Sequence, residues 1–403
     1  MNLQEIKINS NMGDVIDYVN DMFDEAISHN ISDIHIEPTS EYILIRFRQD
    51  GEFILKDKLD AVNTSSLITR LKVLAQLKID ENKKPQDGKI SYQSERLKQK
   101  IDIRLSTLPT NYGEKVALRV LKQDASLTDL EKLGFLDTNL AKIKGVLESK
   151  YGIILMAGPT GSGKSTTLFG LLKHFDPLKY NISTLEDPIE YDIDFVNQSQ
   201  IKPEIGYTFA SGLRSLVRQD PDIIMVGEIR DLETSKLSIE AALTGHLVLS
   251  TIHTNSASAT IQRLTNMDIE PFLIASALKM VISQRLVKKI CPHCKAIHNV
   301  DENIKNKIKE ELADIIDPDE VDQIDFYKGT GCEECNGTGY KGRMGVHEVL
   351  VLDEALEKSI LSKAPAQEIE KIARGEGMTT IVQDAILKAA MGETTVEEAL
   401  KLG

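Results

Sequence analysis

Apolar positions fall into two regimes along the chain. Up to about residue 121 they recur singly, at helix or strand spacing, whereas beyond residue 133 they come in short unbroken runs. Val15, Ile16, Val19, Phe23, Ala26 and Ile27 repeat at three- and four-residue steps, with acidic residues on much of the other side, which predicts an amphipathic helix over residues 12–28. Strands are predicted at 34–37, at 42–48 and around 53–55. Asp50-Gly51 joins the last two and supplies the positive φ angles of a tight hairpin. Leu67, Ile68, Leu71, Leu74 and Leu77 mark a second helix. Residues 97–106 then alternate, Ile101, Ile103 and Leu105 opposing Asp102, Arg104 and Ser106. Residues 1–121 therefore read as a small α+β domain.

A polar stretch opens a linker, placed at 122–132. The runs that follow, 153–157, 223–226 and 247–249, are apolar at every position and separated by helical segments. Strands of that kind have both faces buried, the mark of a parallel sheet covered by helices on each side, so an α/β core is expected over 133–403. Residues 301–325 are strongly acidic and lie between two cysteine pairs, which places a small module at 286–345. The segment 353–403 reads as short helices with turns at Gly375, Gly377 and Gly392.

Composition narrows the function. A chain of 403 residues exceeds one ordinary core and suits two or three domains. No stretch approaches the roughly 20 apolar residues that span a bilayer. Asp14, Asp17, Asp21, Asp24 and Glu25 occupy the region where a secretory signal would need a basic start and an apolar core, so a cytoplasmic location is expected. The acidic face of the first helix disfavours anionic lipid, and that helix is expected to pack. A net charge of −14 argues against broad, non-specific attraction to nucleic acid.

Gly158-Pro159-Thr160-Gly161-Ser162-Gly163-Lys164-Ser165, with Thr166 following, fits the G-x-x-x-x-G-K-[ST] phosphate loop at every position and follows an apolar strand. Glycines let backbone N–H groups converge on phosphates, Lys164 reaches the terminal phosphates, and the Ser165 hydroxyl can ligate Mg²⁺. ATP hydrolysis also needs acids near the metal and the attacking water. Two places offer them, the end of the run 223–226 at Gly227-Glu228, and the segment Glu186-Asp187-Pro188-Ile189-Glu190. Glu186 is taken as the water-orienting base and Glu228 as the metal ligand, though the residues alone leave the exchange of these roles open. His246 and His253 flank the run 247–249 near the expected catalytic edge.

These residues, with the segments 32–38 and 104–119 and the histidine box 245–254, resemble the type II secretion and type IV pilus assembly ATPases across nearly the whole chain. The resemblance implies a RecA-like P-loop ATPase core, an N-terminal α+β (PAS-like) domain and a small zinc-binding module. It implies a homo-hexameric ring holding ATP between the two lobes, with Arg104 and Arg119 approaching the phosphates and His253 sensing the γ-phosphate. Implied partners are an inner-membrane platform protein and a cytoplasmic docking protein, with membrane association only through them. The function expected is a motor for pilin or pseudopilin assembly. A nucleic-acid translocase on the same core is the alternative, opposed by the acidic balance. A scaffold that binds nucleotide without turnover is a third possibility.

Cys291-Pro292-His293-Cys294 and Cys332-Glu333-Glu334-Cys335 form two C-x₂-C knuckles. Two knuckles complete a tetrahedral Zn²⁺ site, and four protein ligands leave no open position, so a structural metal is expected. In the family resembled, this module marks the assembly branch, and the segment 337–343 fits that branch as well.

Overall fold

Asp14 opens helix α1 (Val15–Ser28) by accepting a hydrogen bond from the backbone of Ile16 at 2.6 Å. Val19, Met22, Phe23, Ala26 and Ile27 form its buried stripe. The computed structural model describes residues 12–121, 129–190 and 192–403, and the chain divides into two units, 1–124 and 125–403. In the first unit, β1 (Asp33–Pro38), β2 (Tyr42–Gln49) and β3 (Glu52–Asp60) precede α2 (Thr64–Leu74), and β4 (Gln86–Gln93), β5 (Lys100–Thr110) and β6 (Gly113–Leu121) follow it. Asp50 and Gly51 take φ of 49° and 90° between the paired Gln49 and Glu52, the two-residue hairpin expected of that dipeptide. Leu77 lies beyond the end of α2, because Gln76 turns the chain with φ 57°.

The sheet order is β3-β2-β1-β6-β5-β4, antiparallel throughout. Ile34, Ile36, Ile45, Ile103, Leu105, Val116 and Leu118 point to one face and share a core with Phe23, Leu67 and Leu71 of the two helices. Residues at alternate positions, including Asp33, Arg48, Arg104 and Arg119, occupy the other face.

The second unit runs α3 (Asp137–Leu147), β7 (Gly152–Ala157), α4 (Lys164–Leu172), β8 (Ile182–Glu186), β9 (Asn197–Gln200), α5 (Phe209–Leu216), β10 (Ile223–Val226), α6 (Leu232–Leu243) and β11 (Leu247–Ile252). It continues with α7 (Ala257–Asn266), α8 (Pro271–Ala277), β12 (Leu278–Ile290), β13 (Lys295–His298), α9 (Glu302–Leu312), α10 (Pro318–Val321), β14 (Phe326–Gly329) and β15 (Tyr340–Val351). Helices α11 (Glu354–Leu361), α12 (Ala366–Gly375), α13 (Ile381–Ala390) and α14 (Val396–Leu400) close the chain.

Its main sheet has the order β15-β12-β7-β11-β10-β8-β9, parallel except for β15. Ile153, Leu155, Ile224, Val226 and Val248 enter one core with residues of α5 to α8, while Ile154, Met156, Met225 and Leu249 enter another with α3 and α4. Two covered faces explain why these strands are apolar at every position.

Two segments pack in ways that local sequence does not show. Residues 122–128 of the linker lie outside the described residues, but Leu130, assigned to that linker, is buried in the core beneath α3 and α4. The segment 353–403 is not one body. Leu356, Ile360 and Ile369 of α11 and α12 join the main core, whereas Ala385, Ile386, Val396 and Ala399 of α13 and α14 share a core with Ile308, Phe326 and Met344 of the cysteine-bearing module.

Candidate functional site

Strand β7 ends at Ala157 and helix α4 begins at Lys164, so the glycine-rich segment is the whole connection. Gly158, Gly161 and Gly163 take φ of 147°, 80° and 86°, a conformation that L side chains resist. Space is as limiting as conformation at two of them. A Cβ at 158 would lie 2.6 Å from Ser162 Oγ, and one at 163 would lie 2.7 Å from Gln284 Nε2. Pro159, Thr160, Gly161 and Ser165 are exposed, and Thr166 is half-buried. Lys164 is buried, and its Nζ donates to the carbonyls of Gly158 at 2.7 Å and Pro159 at 3.0 Å. Burial lowers its pKa to about 8; Glu228 opposes the shift and Arg285 adds to it.

Strands β7, β11, β10 and β8 are neighbours and parallel, so their carboxyl ends line one edge of the sheet, where open α/β sheets bind ligands. The phosphate loop leaves β7, His253 follows β11, Gly227-Glu228 follows β10, and Glu186 ends β8. Glu228 is held by Arg230 at 2.5 Å and lies 3.5 Å from His253 Nε2. Burial lowers the His253 pKa, helped by the charge of Lys164 and opposed by Glu228. Lys164, Glu228, His253, Arg230 and Arg285 thus form one electrostatic cluster.

Gly227 stands where an acid often precedes the glutamate, and packing explains it. A Cβ there would lie 3.1 Å from the Leu185 carbonyl and 3.5 Å from Glu186 Cα. Glu186 sits in a separate network. Its Oε1 accepts from Thr184 Oγ1 at 2.6 Å and from Gln198 Nε2 at 2.9 Å, and burial raises its pKa against those bonds. Glu190 is half-buried and interacts with Glu186 through its charge and its backbone N–H. His246 is elsewhere. It precedes β11, at the opposite edge of the sheet, about 20 Å along the six-residue strand, and its Nδ1 is bonded to the Ala241 carbonyl at 2.8 Å. Its expected place near the catalytic edge is therefore wrong. Asp231 caps α6 through the backbone N–H of Thr234 at 2.8 Å.

Arg104 and Arg119 both lie in the first unit. They are directly opposite one another on β5 and β6, in a cross-strand row that runs Lys89, Arg104, Arg119, Asp33, Arg48. Asp33 holds Arg119 Nε at 3.1 Å, and its other oxygen is 3.8 Å from Arg48 Nε. Asp33, Arg104, Ser106 and Arg119 line a concavity of about 320 Å³ on this face.

The four cysteines converge. Their sulfurs lie within 4.8 Å of one another, with Cys291–Cys332 and Cys294–Cys335 at 3.8 Å and Cys332–Cys335 at 3.6 Å. A tetrahedron with metal–sulfur bonds of about 2.3 Å has edges of about 3.8 Å, so the donors fit a four-thiolate metal site. Backbone N–H groups of Cys332 and Gly339 each donate to Cys335 Sγ at 3.2 Å, the outer contacts that orient metal-bound thiolates.

Sequence reading missed Gln284, Thr184 and Gln198. The available signal for Gln284 was its place in the polar trio Ser283-Gln284-Arg285, between apolar residues 280–282 and 286–287, and it carried no direction.

Comparison with known proteins agrees with this architecture. The family described as Type II/IV secretion system protein matches residues 9–401. The chain is 45% identical over 383 residues to the type IV pilus assembly ATPase PilB of Thermus thermophilus, covering 95% of this chain and 42% of that one. It is 43% identical over 390 residues to the type II secretion system ATPase E of Vibrio cholerae, covering 96% and 75%. Among solved structures, the pilus retraction motor PilT with bound ADP superposes with a TM-score of 0.65 at 27% identity, over 96% of each chain. The Legionella pneumophila ATPase DotB, at 23% identity and TM-score 0.70 over 100% of this chain and 98% of its own, shares the fold. The chain therefore belongs to the type II/IV secretion system protein family, as an ATPase of the secretion and pilus-assembly kind.

Proposed function

We propose that the chain is a cytoplasmic, homo-hexameric motor that hydrolyses Mg-ATP to drive pilin or pseudopilin assembly, working through an inner-membrane platform protein and a docking partner. The observation that carries this reading is the single sheet edge at which a phosphate loop, Glu228, His253 and Glu186 stand on four adjacent strand ends. Residues 158–166 cradle the phosphates, and Ser165 and Glu228 hold Mg²⁺, which supplies charge neutralisation at the phosphoryl oxygens. Lys164 leaves its loop carbonyls for the phosphates. Glu186, oriented by Thr184 and Gln198, positions and deprotonates the attacking water, with Glu190 beside it. His253, 3.5 Å from Glu228, reads the presence of the γ-phosphate without transferring a proton. Arg104 and Arg119 are proposed, from their charge, to stabilise the transferring phosphoryl group.

Zinc is proposed for the cysteine site, with a structural role, because four thiolates at tetrahedral spacing leave no position for water. The deciding experiment is ATP turnover by the purified chain, with its metal content measured on the same preparation. Turnover well above a Lys164→Ala control, with about one zinc per chain, is expected. Turnover no greater than that control would eliminate the motor, and a folded, metal-free preparation would remove the zinc.

A further inference from the structure

We propose that Gln284 is a positioning residue for the phosphate loop, holding its backbone in the shape that receives phosphate. The inference rests on the reading of residues 158–165 as the nucleotide site. Gln284 lies in β12, the strand beside β7, and is buried. A buried amide must have its donors and acceptors met. Here Nε2 donates to the Ser162 carbonyl at 2.8 Å, and Oε1 accepts from Thr167 Oγ1, in the first turns of α4, at 2.7 Å. One side chain therefore grips the loop on one side and the helix that follows it on the other.

The direction of that grip matters. A phosphate nest turns successive N–H groups inward, which leaves carbonyls on the outside in need of donors. The Ser162 carbonyl, which can only accept, sets the orientation of the amide, since a flipped amide would oppose two carbonyl oxygens, and the Thr167 hydroxyl then donates to Oε1. The glycines give an independent sign of the same packing. A Cβ at 158 would lie 2.7 Å from the Gln284 carbonyl oxygen, and one at 163 would lie 2.7 Å from Gln284 Nε2. The first and third glycines of the loop are thus closed to side chains by residue 284, so loop and strand pack as one body. Without the amide, the loop spends part of its time in shapes where fewer N–H groups converge, and affinity falls by the competent fraction.

The test uses the full chain and Gln284→Met, which keeps length and loses both hydrogen bonds. Binding of fluorescent ADP is titrated, KM and kcat for ATP are measured, and the nucleotide-free melting temperature is recorded. We expect ADP affinity to fall about tenfold and KM to rise in step, with kcat altered less than about threefold, because a preformed loop contributes equally to ground and transition states. Thr167→Val, which frees the amide, is expected to weaken ADP about threefold, and the double variant to be no worse than Gln284→Met alone. Unchanged ADP affinity in Gln284→Met, or a loss that tracks a lowered melting temperature with KM unmoved, overturns the proposal. If Gln284→Met does not fold, wild-type affinity in Thr167→Val overturns it instead. A wild-type chain that binds no ADP overturns the nucleotide-site reading itself.

Discussion

Glu186 ends β8 only 3% exposed, yet it keeps two hydrogen-bond donors, from Thr184 and Gln198. Burial raises its pKa, which makes it a stronger base than a solvated carboxylate, and these donors, with the backbone N–H of Glu190, fix how its carboxylate is turned. Glu186→Gln keeps the size and removes the base. Turnover should fall by about 10²- to 10⁴-fold, while ATP affinity, measured by equilibrium titration, stays within about threefold because phosphate binding resides in the loop. Wild-type turnover in that variant would move the base to Glu228. Lys164 gives a prediction in pH. Its pKa of about 8 belongs to the nucleotide-free loop, and only the ammonium attracts phosphate. Binding therefore favours the protonated form. Affinity for ADP should be level below about pH 7 and fall as pH rises through 8, by up to about tenfold per unit. A flat titration from pH 7 to 9 would show that Lys164 is fully charged before nucleotide arrives.

At the scale of elements, α13 is tied to β15 by charge as well as by apolar contact. Lys388 and Asp384 form a buried ion pair one helical turn apart; Asp384 also accepts from the His347 backbone at 3.0 Å, and Lys388 donates to the Gly345 carbonyl at 2.9 Å. Burial pushes both groups toward their neutral forms, raising the Asp384 pKa and lowering that of Lys388. Removing one partner strands the other. Lys388→Met should destabilise the second unit by about 3 kcal/mol, and adding Asp384→Asn should recover most of the loss. Chemical denaturation of the three variants measures it, and additive losses would argue against coupling.

The same strands show where sequence reading stopped. Helix α1, the Asp50-Gly51 hairpin and the apolar strands β7, β10 and β11 were legible because each follows a local period or turn rule. Strands β12 and β15 were not, since buried polar residues interrupt them. Gln284 meets Thr167 across 117 residues, and Glu348 meets the backbone N–H of Ala257 across 91. No local window contains the partner that makes such burial tolerable. At the site, the phosphate loop and the cysteine knuckles were readable from spacing alone. The network around Glu186 was not, because Gln198 arrives from β9, the edge strand beside β8.

For the whole molecule, charge is the informative quantity. The chain carries a net −14, yet one face of the first unit sets Lys89, Arg104, Arg119 and Arg48 in a single cross-strand row with only Asp33 among them. Lys89 is paired with Asp102 at 2.9 Å and Arg119 with Asp33 at 3.1 Å, and the row as a whole keeps more positive than negative charge. A surplus of that kind suits a polyanion. Replacing Arg104 and Arg119 together by Ala should therefore lower kcat by about 10²-fold or more. Binding of ATP should change less than about threefold, since the glycine-rich loop, Lys164 and the residues proposed for Mg²⁺ belong to the second unit. Steady-state kinetics beside equilibrium binding separates the two effects. Loss of affinity with kcat intact would make the row a ground-state clamp, and no change in either would remove both arginines from the proposed catalytic set.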